Sequence, residues 1–496
     1  SPSASKQRRA SVAAISRHEL CRRIASDGDI HHRVTTLVAP AGYGKSALLE
    51  EVVAAQGRDA LYLSLRDCEH HASLFLDLLA TAVQRRLPSA DLRPLLMLKG
   101  ASRPEEYGER LPYVLARVFE PLSSGTVLLA LDDLQVLEPD DILATLVRGL
   151  LASESRRLRF VLASRRDLSV DLGGAGDHGS SLALRASDLA FSREEVAEVM
   201  TLSAGITPPP RQIRQLWDAT RGWPALVARM TPTDAAARDL DATSEPLHAF
   251  VVGELLADLK PQLRYVLKAA SILDAVESSS AKALFSEPVD GRRLRGPISR
   301  FISVPESQVT RHLEALQQAQ LLTADSERDS VCALNPVVKR VLVDLFAQDD
   351  PRAYRLAHHR VAEHHLANTA GARPEVIEHL LEAGEYDRAM TLLEVEADGL
   401  LARGADSDLA RWLLRLEGHF SRLPLWAAYH LACAYSANGQ LMQAKRLFDQ
   451  CKSGLKGWDE AGLLWRWQPR ICLGLATLSW RRGVGDEART YCQRGL

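Results

Sequence analysis

The stretch "VTTLVAPAGYGKSALLEEVV", residues 34–53, decides how the chain is read. A β-branched apolar run meets a glycine-bearing turn, then Lys45 and Ser46, then a helical apolar pattern carried by Leu48, Leu49, Val52 and Val53. Holding a phosphate takes several backbone N–H donors converging on one anion at a helix N-terminus, with a cation close by. Ala39, Pro40, Ala41, Gly42, Tyr43, Gly44, Lys45 and Ser46 offer that set. Gly42 and Gly44 let the backbone curl without a Cβ clash, Lys45 can reach the β- and γ-phosphates, and the Ser46 hydroxyl can ligate Mg²⁺. The pattern is GxxxxGK[ST] with Ala39 in place of its first glycine. The bland alternative is a strand-to-helix turn that matches by chance. A strand before the turn and an amphipathic helix after it weigh against that.

A phosphate loop needs an acid at the end of a neighbouring strand. In "TVLLALDDLQVL", residues 126–137, an apolar strand delivers Asp132 and Asp133 at its carboxyl edge, where α/β proteins bind ligands. Asp132 is expected to hold Mg²⁺, directly or through water, and Asp133 to polarise the attacking water. The alternative for the pair is a helix cap. "RFVLASRRDL", residues 159–168, ends the next strand at Ser164 and Arg165, placing Arg165 to sense a γ-phosphate unless it is a solvated strand-end arginine. In "RGWPALV", residues 221–227, Pro224 either lies flat against adenine or is a first-turn helix proline.

Around this core, 496 residues are too many for one domain. Apolar content of 46% and charged content of 25% describe an ordinary globular chain. With 61 basic and 63 acidic residues, a protein that coats nucleic acid is disfavoured. Seven cysteines without CxxC pairs suit buried thiols in a reducing compartment, hence a cytoplasmic protein. No apolar run approaches the ~18 residues of a membrane span. The basic opening "SPSASKQRRASV" reads as a flexible tail. The missing initiator methionine and the mid-pattern ending "YCQRGL" lead us to expect a piece of a longer protein.

The expected fold class is multidomain α/β plus α. A tail and lead-in helix occupy residues 1–30. Residues 31–190 alternate strands (34–39, 60–65, 126–131, 159–164, 182–185) with helices, which predicts a parallel sheet covered on both faces. Residues 191–245 read as a helical lid, opening with Ser192 as an N-cap. Residues 246–350 are helical except for the hairpin in "LLTADSERDSVCAL", which suggests a winged helix. From 351 to 496 the chain is helical and quasi-repetitive: Gly384-x4-Ala389, Gly439-x4-Ala444 and Gly483-x4-Ala488 mark helical hairpins in a tetratricopeptide-like superhelix. The alternative is a non-repetitive bundle. In "HHRVAEHH", His358, His359, His364 and His365 lack the spacing of a tight metal site and are expected on a solvated face.

The motif order resembles the STAND class of signal-transduction ATPases, and more narrowly the large ATP-binding LuxR-family regulators typified by the bacterial maltose-regulon activator. "PAGYGKS", "LLALDDLQVL", "FVLASRRDL", "LALRASDLAFSREEVAEVM", "TRGWPALV" and "LEALQQAQLL" carry the resemblance, which covers residues 15–350 well and the repeats loosely. It implies a switch rather than a motor. ADP holds a closed monomer. ATP and an inducer at the repeats open it into an oligomer, and a C-terminal helix-turn-helix binds DNA. No such DNA-binding segment is visible in this sequence. Family members often carry a histidine after the wing that touches bound ADP. Here "VCALNPVVKRVL" offers Asn335, which can donate to phosphate but cannot carry charge.

Two rivals stand beside the switch: an AAA+-type motor ATPase, and a scaffold or DNA-binding protein whose nucleotide is structural. The motor would want an arginine finger and a second sensor arginine that the sequence does not place. The Arg-rich segment 292–300 and the helix "SQVTRHLEALQQAQ" are the DNA-facing candidates. Glu314 in that helix, Glu306 just upstream and the Leu313, Leu316 and Leu321 face favour intramolecular packing instead, and the arginine segment reads more simply as an exposed loop or interface.

Overall fold

The computed structural model describes residues 15–25, 32–68, 71–86, 88, 90–101, 106–119, 126–138, 141–152, 158–167, 181–204, 208–230, 245–285, 306–325, 328–368, 374–420, 423–455 and 464–495. The tail and the arginine cluster at 292–300 fall outside them. The chain forms two compact units, one of residues 1–278 with 304–346, the other of 279–303 with 347–496.

The first unit is built on five parallel strands: β1 (Val34–Val38), β2 (Ala60–Ser64), β3 (Val127–Asp132), β4 (Leu158–Ser164) and β5 (Ser181–Arg185), in the order β2-β3-β4-β1-β5. Every residue of β3 and β4 is buried, which is why both read as near-continuous apolar runs, broken only by Arg159 and by the closing Asp132 and Ser164, rather than alternating ones. Helix α1 (Lys45–Gln56) follows β1 and buries Leu48, Leu49, Val52 and Val53. The helices Ala72–Arg86, Arg93–Ala101, Tyr107–Phe119 and Ile142–Ala152 share a core with β2, β3 and β4 through Phe75, Leu111, Leu115, Leu146 and Phe160. One expectation needs correcting. The strand bearing the acids is not the immediate neighbour of the phosphate-loop strand, because β4 pairs with both β1 and β3 and separates them.

Beyond the sheet come α2 (Arg193–Ala204), α3 (Pro210–Thr220) and the short α4 (Pro224–Val227). The start of α2 is a capping box: the Glu195 N–H donates to Ser192 Oγ at 3.2 Å, and the Ser192 N–H to Glu195 Oε2 at 2.8 Å. Next, α5 (Pro261–Ala270), α6 (Glu306–Gln318) and α7 (Pro336–Asp349) accompany an antiparallel sheet of β6 (Val276–Glu277), β7 (Thr323–Asp325) and β8 (Arg328–Ala333), ordered β6-β8-β7. The hairpin expected in residues 321–334 is present as β7 and β8, with β6 pairing on the other side of β8. α6 buries Val309 and Leu316, and its Gln318 carbonyl accepts the Asp167 N–H at 3.1 Å, three residues past the end of β4.

The second unit is a run of antiparallel helices: α8 (Pro351–Asn368), α9 (Pro374–Ala383), α10 (Tyr386–Ala402), α11 (Asp406–Glu417), α12 (Leu425–Ala437), α13 (Leu441–Gly454), α14 (Leu464–Arg481) and α15 (Gly485–Gly495). Gly384, Gly439 and Gly483 each take a left-handed φ of 81°, 78° and 76°, so each ends a helix and turns the chain into the next. Ala389 and Ala444 are fully buried five residues on, where a larger side chain would hold the helices apart. A further turn at Gly404, φ 77°, escapes the sequence pattern because Leu409 replaces the alanine.

Of the histidine cluster, His359, His364 and His365 are partly exposed, but His358 departs from the expected solvated face. His358 is buried on α8 with its Nδ1 2.7 Å from His379 Nδ1 on α9, because that face of α8 packs against α9. Burial, reinforced by the Arg415 charge, pushes His358 down to about 3, so it is neutral. Among the described residues no three His, Cys, Asp or Glu side chains gather as a metal set, and no helix is long and apolar enough to cross a membrane.

Candidate phosphate site and its lid

Six residues separate β1 from α1, and two of them hold the turn open. Gly42 and Gly44 sit at φ 81° and 78°, which an L side chain rarely adopts. Ala39 needs no such freedom: its N–H donates to the Ser164 carbonyl at 3.2 Å as the loop leaves the strand, which explains why alanine serves there. Gly44 is the N-cap of α1 without a side-chain cap, and no acid occupies the first turn. The positive end of the helix dipole is thus left for an external anion. Ser46 is exposed at this end.

Lys45 is buried beneath the loop, 8% exposed, and its Nζ donates to the Ala39 carbonyl at 2.6 Å and the Pro40 carbonyl at 2.9 Å. Desolvation, helped by the Arg165 charge and opposed by Asp132 and Asp133, lowers it to about 8. An ammonium held by two carbonyls and starved of water is poised to exchange them for phosphate oxygens.

At the end of β3, Asp132 is buried and its carboxylate is aimed by two donors, the Tyr62 hydroxyl at 3.0 Å and the Asp133 N–H at 2.8 Å. Asp133 has left the strand with φ 59°. Its carboxylate accepts from Gln135 Nε2 at 2.7 Å, Ser64 Oγ at 3.4 Å and Arg66 Nη2 at 3.5 Å. Gln135 also accepts the Arg165 N–H at 3.1 Å, joining the ends of β3 and β4. The sequence motifs single out none of Gln135, Tyr62 and Ser64. Gln135 was the findable one, two residues past the acid pair, whereas Tyr62 and Ser64 depend on the β2–β3 register, which pairs Ser64 with Asp132.

The remaining candidates have partners of their own. The Arg165 guanidinium forms an ion pair with Asp258 and donates to the Glu254 carbonyl at 3.1 Å. Pro224 is the first residue of α4 and is buried. Its neighbours do more than it does. Trp223 Nε1 donates to the Ala41 carbonyl at 3.1 Å, and the Ala225 N–H donates to the Gly42 carbonyl at 3.0 Å. The Trp223 ring lies 4.7 Å from that of Tyr43 and meets Phe250 edge-on at 6.1 Å. Asn335 caps α7, its Oδ1 accepting the Val337 N–H at 3.0 Å, while its Nδ2 donates to the Thr220 carbonyl at 2.8 Å. It thereby ties the winged segment to the turn that leads into Gly222, Trp223 and Pro224.

Sheet, loop and strand-end acids together define a phosphate-loop NTPase fold followed by helical repeats. No family model matches the chain. It is 23% identical over 386 residues to the serine/threonine-protein kinase PknK of Mycobacterium tuberculosis, 74% of this chain and 32% of that one. It is 23% identical over 278 residues to the HTH-type transcriptional regulator MalT of Yersinia enterocolitica, 54% of this chain and 30% of that one. The matched regions span about a third of these relatives' length. Among solved structures, a signal-transduction ATPase with numerous domains and a tetratricopeptide-repeat sensor, from Pyrococcus horikoshii, aligns over 97% of this chain and 64% of its own at 14% identity and TM-score 0.34. A Walker-type ATPase of Pyrococcus abyssi aligns over 66% and 95% at 17% identity and TM-score 0.48. In sequence the chain is thus similar to PknK and to MalT-like regulators.

Proposed function

We propose that the chain is the nucleotide-controlled switch of a signal-responsive regulator: it binds ATP or ADP at residues 39–46, hydrolyses ATP slowly, and couples nucleotide state to self-assembly and to an effector at the helical repeats. One observation carries this reading. The segment Trp223–Ala225 hydrogen-bonds directly to the carbonyls of Ala41 and Gly42, inside the phosphate loop. Whatever occupies the loop therefore acts on the lid without an intermediary.

The chemistry follows from the residues. The α1 N-terminus and Lys45 bind the phosphates, and Asp133, held in place by Gln135, Ser64 and Arg66, orients and polarises a water. The donor set of the exposed Ser46 hydroxyl and the buried, pre-aimed Asp132 carboxylate is hard oxygen, which suits Mg²⁺. A bound Mg²⁺ would neutralise charge on the β- and γ-phosphates. Arg165 is engaged by Asp258, so on this reading it reaches a γ-phosphate only after that pair parts.

The division into loop domain, lid (191–245), winged helix and repeats is part of the proposal, as is the cytoplasmic location. The proposal assigns no specific DNA recognition to residues 1–496, because the exposed face of α6 sets Glu314 beside Arg311 and offers no cluster of cations. Calorimetry with ATP and ADP, paired with light scattering for assembly state, tests the switch. Micromolar or tighter nucleotide binding with larger particles in ATP than in ADP is the expected result. Steady rapid turnover with no change in assembly would favour a motor instead.

A further inference from the structure

The second unit contains a cavity of about 920 Å³, within the range that encloses small ligands. It lies among α10, α12 and α14 on one side and the ends of α11 and α13 on the other. In an antiparallel array every second helix runs the same way, so α10, α12 and α14 present their side chains to the cavity in matching layers. One layer is complete. Asp398 on α10 accepts from His430 Nε2 on α12 at 2.9 Å and from Arg470 on α14 at 3.1 Å, while His430 Nδ1 faces the Trp426 carbonyl at 2.7 Å. Burial opposes ionisation of Asp398, but the His430 and Arg470 bonds prevail and hold its carboxyl below the usual range.

One helical turn back along the same three helices stand Glu394, Trp426 and Arg466, all lining the cavity. The arrangement repeats, acid on α10 and arginine on α14, with one change: an indole stands where the imidazole bridges, and among the described residues no side-chain hydrogen bond joins it to either charge. Among the described residues neither Glu394 nor Arg466 has an ion-pair partner, and Arg466 lies over the Trp467 ring at 5.9 Å. Phe420 and Leu447 add apolar wall. An anion alone would meet Glu394 unpaired, and a cation alone would meet Arg466. Both side chains are exposed to solvent, so they select by charge complementarity, and a ligand carrying both charges on an apolar body pairs with both at once.

We infer that this cavity binds a zwitterionic amino acid or short peptide, its ammonium on Glu394, its carboxylate on Arg466 and its side chain against Trp426. The inference deepens the effector role proposed above and rests on it only for the consequence for nucleotide state.

The test is a thermal-shift and calorimetric titration of residues 1–496 with two probes, a mixture of the free amino acids and a random dipeptide mixture. Each is run beside its N-acetylated and C-amidated forms, and ATP binding is measured in the same samples. Binding of a free-termini probe, weakened at least about tenfold by either blocking group and by Glu394→Gln or Arg466→Gln, is the expected result. The probe that binds decides between amino acid and peptide. Equal binding of blocked and free forms overturns the inference, and so does the absence of binding by both mixtures while ATP still binds. Loss of ATP binding by the unaltered protein would instead overturn the nucleotide reading. Should Glu394→Gln unfold the unit, Arg466→Lys, which keeps the charge and shortens the reach, must still weaken the free-termini probe selectively.

Discussion

Gly42 in the phosphate loop and Gly384 at the α9–α10 turn share the same φ of 81°, yet they are held by different constraints. A Cβ on Gly384 would meet nothing within 4 Å, so there the backbone angle alone requires glycine. A Cβ on Gly42 would fall 2.4 Å from the Ala225 Cβ and 3.0 Å from the Phe250 ring, so the lid requires glycine as well. The repeat turn is a local device, indifferent to what lies around it. The phosphate loop is shaped from both sides: by its own sequence and by residues nearly two hundred positions away.

The sharpest way to break that contrast is to add the same methyl group to both. Gly42→Ala is expected to cost about 2–5 kcal/mol, combining ~1–2 kcal/mol for a left-handed alanine with ~1–3 kcal/mol for overpacking. Gly384→Ala is expected to cost only the first part, ~1–2 kcal/mol. Denaturant titration of each variant reads the difference. Equal costs would mean that Ala225 yields freely and that the lid does not press on the loop. Next in size, Lys45→Ala removes the loop's only side-chain cation and is expected to weaken ATP at least about 100-fold, ~2.7 kcal/mol, by calorimetry. No comparable loss should follow from Arg470→Ala in the repeats. Asp133→Asn comes third. Asparagine tolerates the left-handed φ of 59° and keeps the shape, so folding and ATP affinity should persist while single-turnover hydrolysis slows by roughly 50-fold. Unchanged hydrolysis would make Asp133 a structural cap.

The same contrast explains what the sequence could disclose. The strands and the turns that close them are legible because each is contiguous: an apolar run marks a strand, and the glycines or acids at its end mark where it stops. The Trp223 and Ala225 bonds to the loop were not legible, since only "RGWPALV" as a string was available and Pro224, its most conspicuous residue, turns out to be a buried first-turn proline. Asn335 was read toward the nucleotide, but in the structure it is placed as a helix cap bonded to Thr220. His358 was read as solvated because its own helix is polar around it. Its burial is decided by α9, through His379. In the repeats the Gly-x4-Ala pattern gave the turns, whereas the cavity depends on layers formed by three helices that are far apart in sequence.

The smallest effect follows from the charge on Lys45. Burial lowers its folded-state value to about 8 from the ordinary 10.5, so the buried ammonium costs stability in full below pH 8. That cost is relieved as pH rises from 8 toward 10.5, because the folded chain releases the proton before the unfolded chain does. Stability of the unliganded protein should therefore gain from this group with rising pH. Nucleotide affinity should move the other way. Phosphate favours the charged amine, so binding above pH 8 must first restore the proton. Between pH 7.5 and 9 the affinity is expected to fall by about eightfold, ~1.2 kcal/mol, with roughly 0.9 proton taken up per nucleotide at pH 9. Calorimetry in buffers of different ionisation enthalpy measures that proton directly. A pH-independent affinity with no uptake at pH 9 would show that Lys45 keeps its charge under the loop. The two carbonyls of Ala39 and Pro40 would then outweigh the desolvation that sets this region apart from the open turns of the repeats.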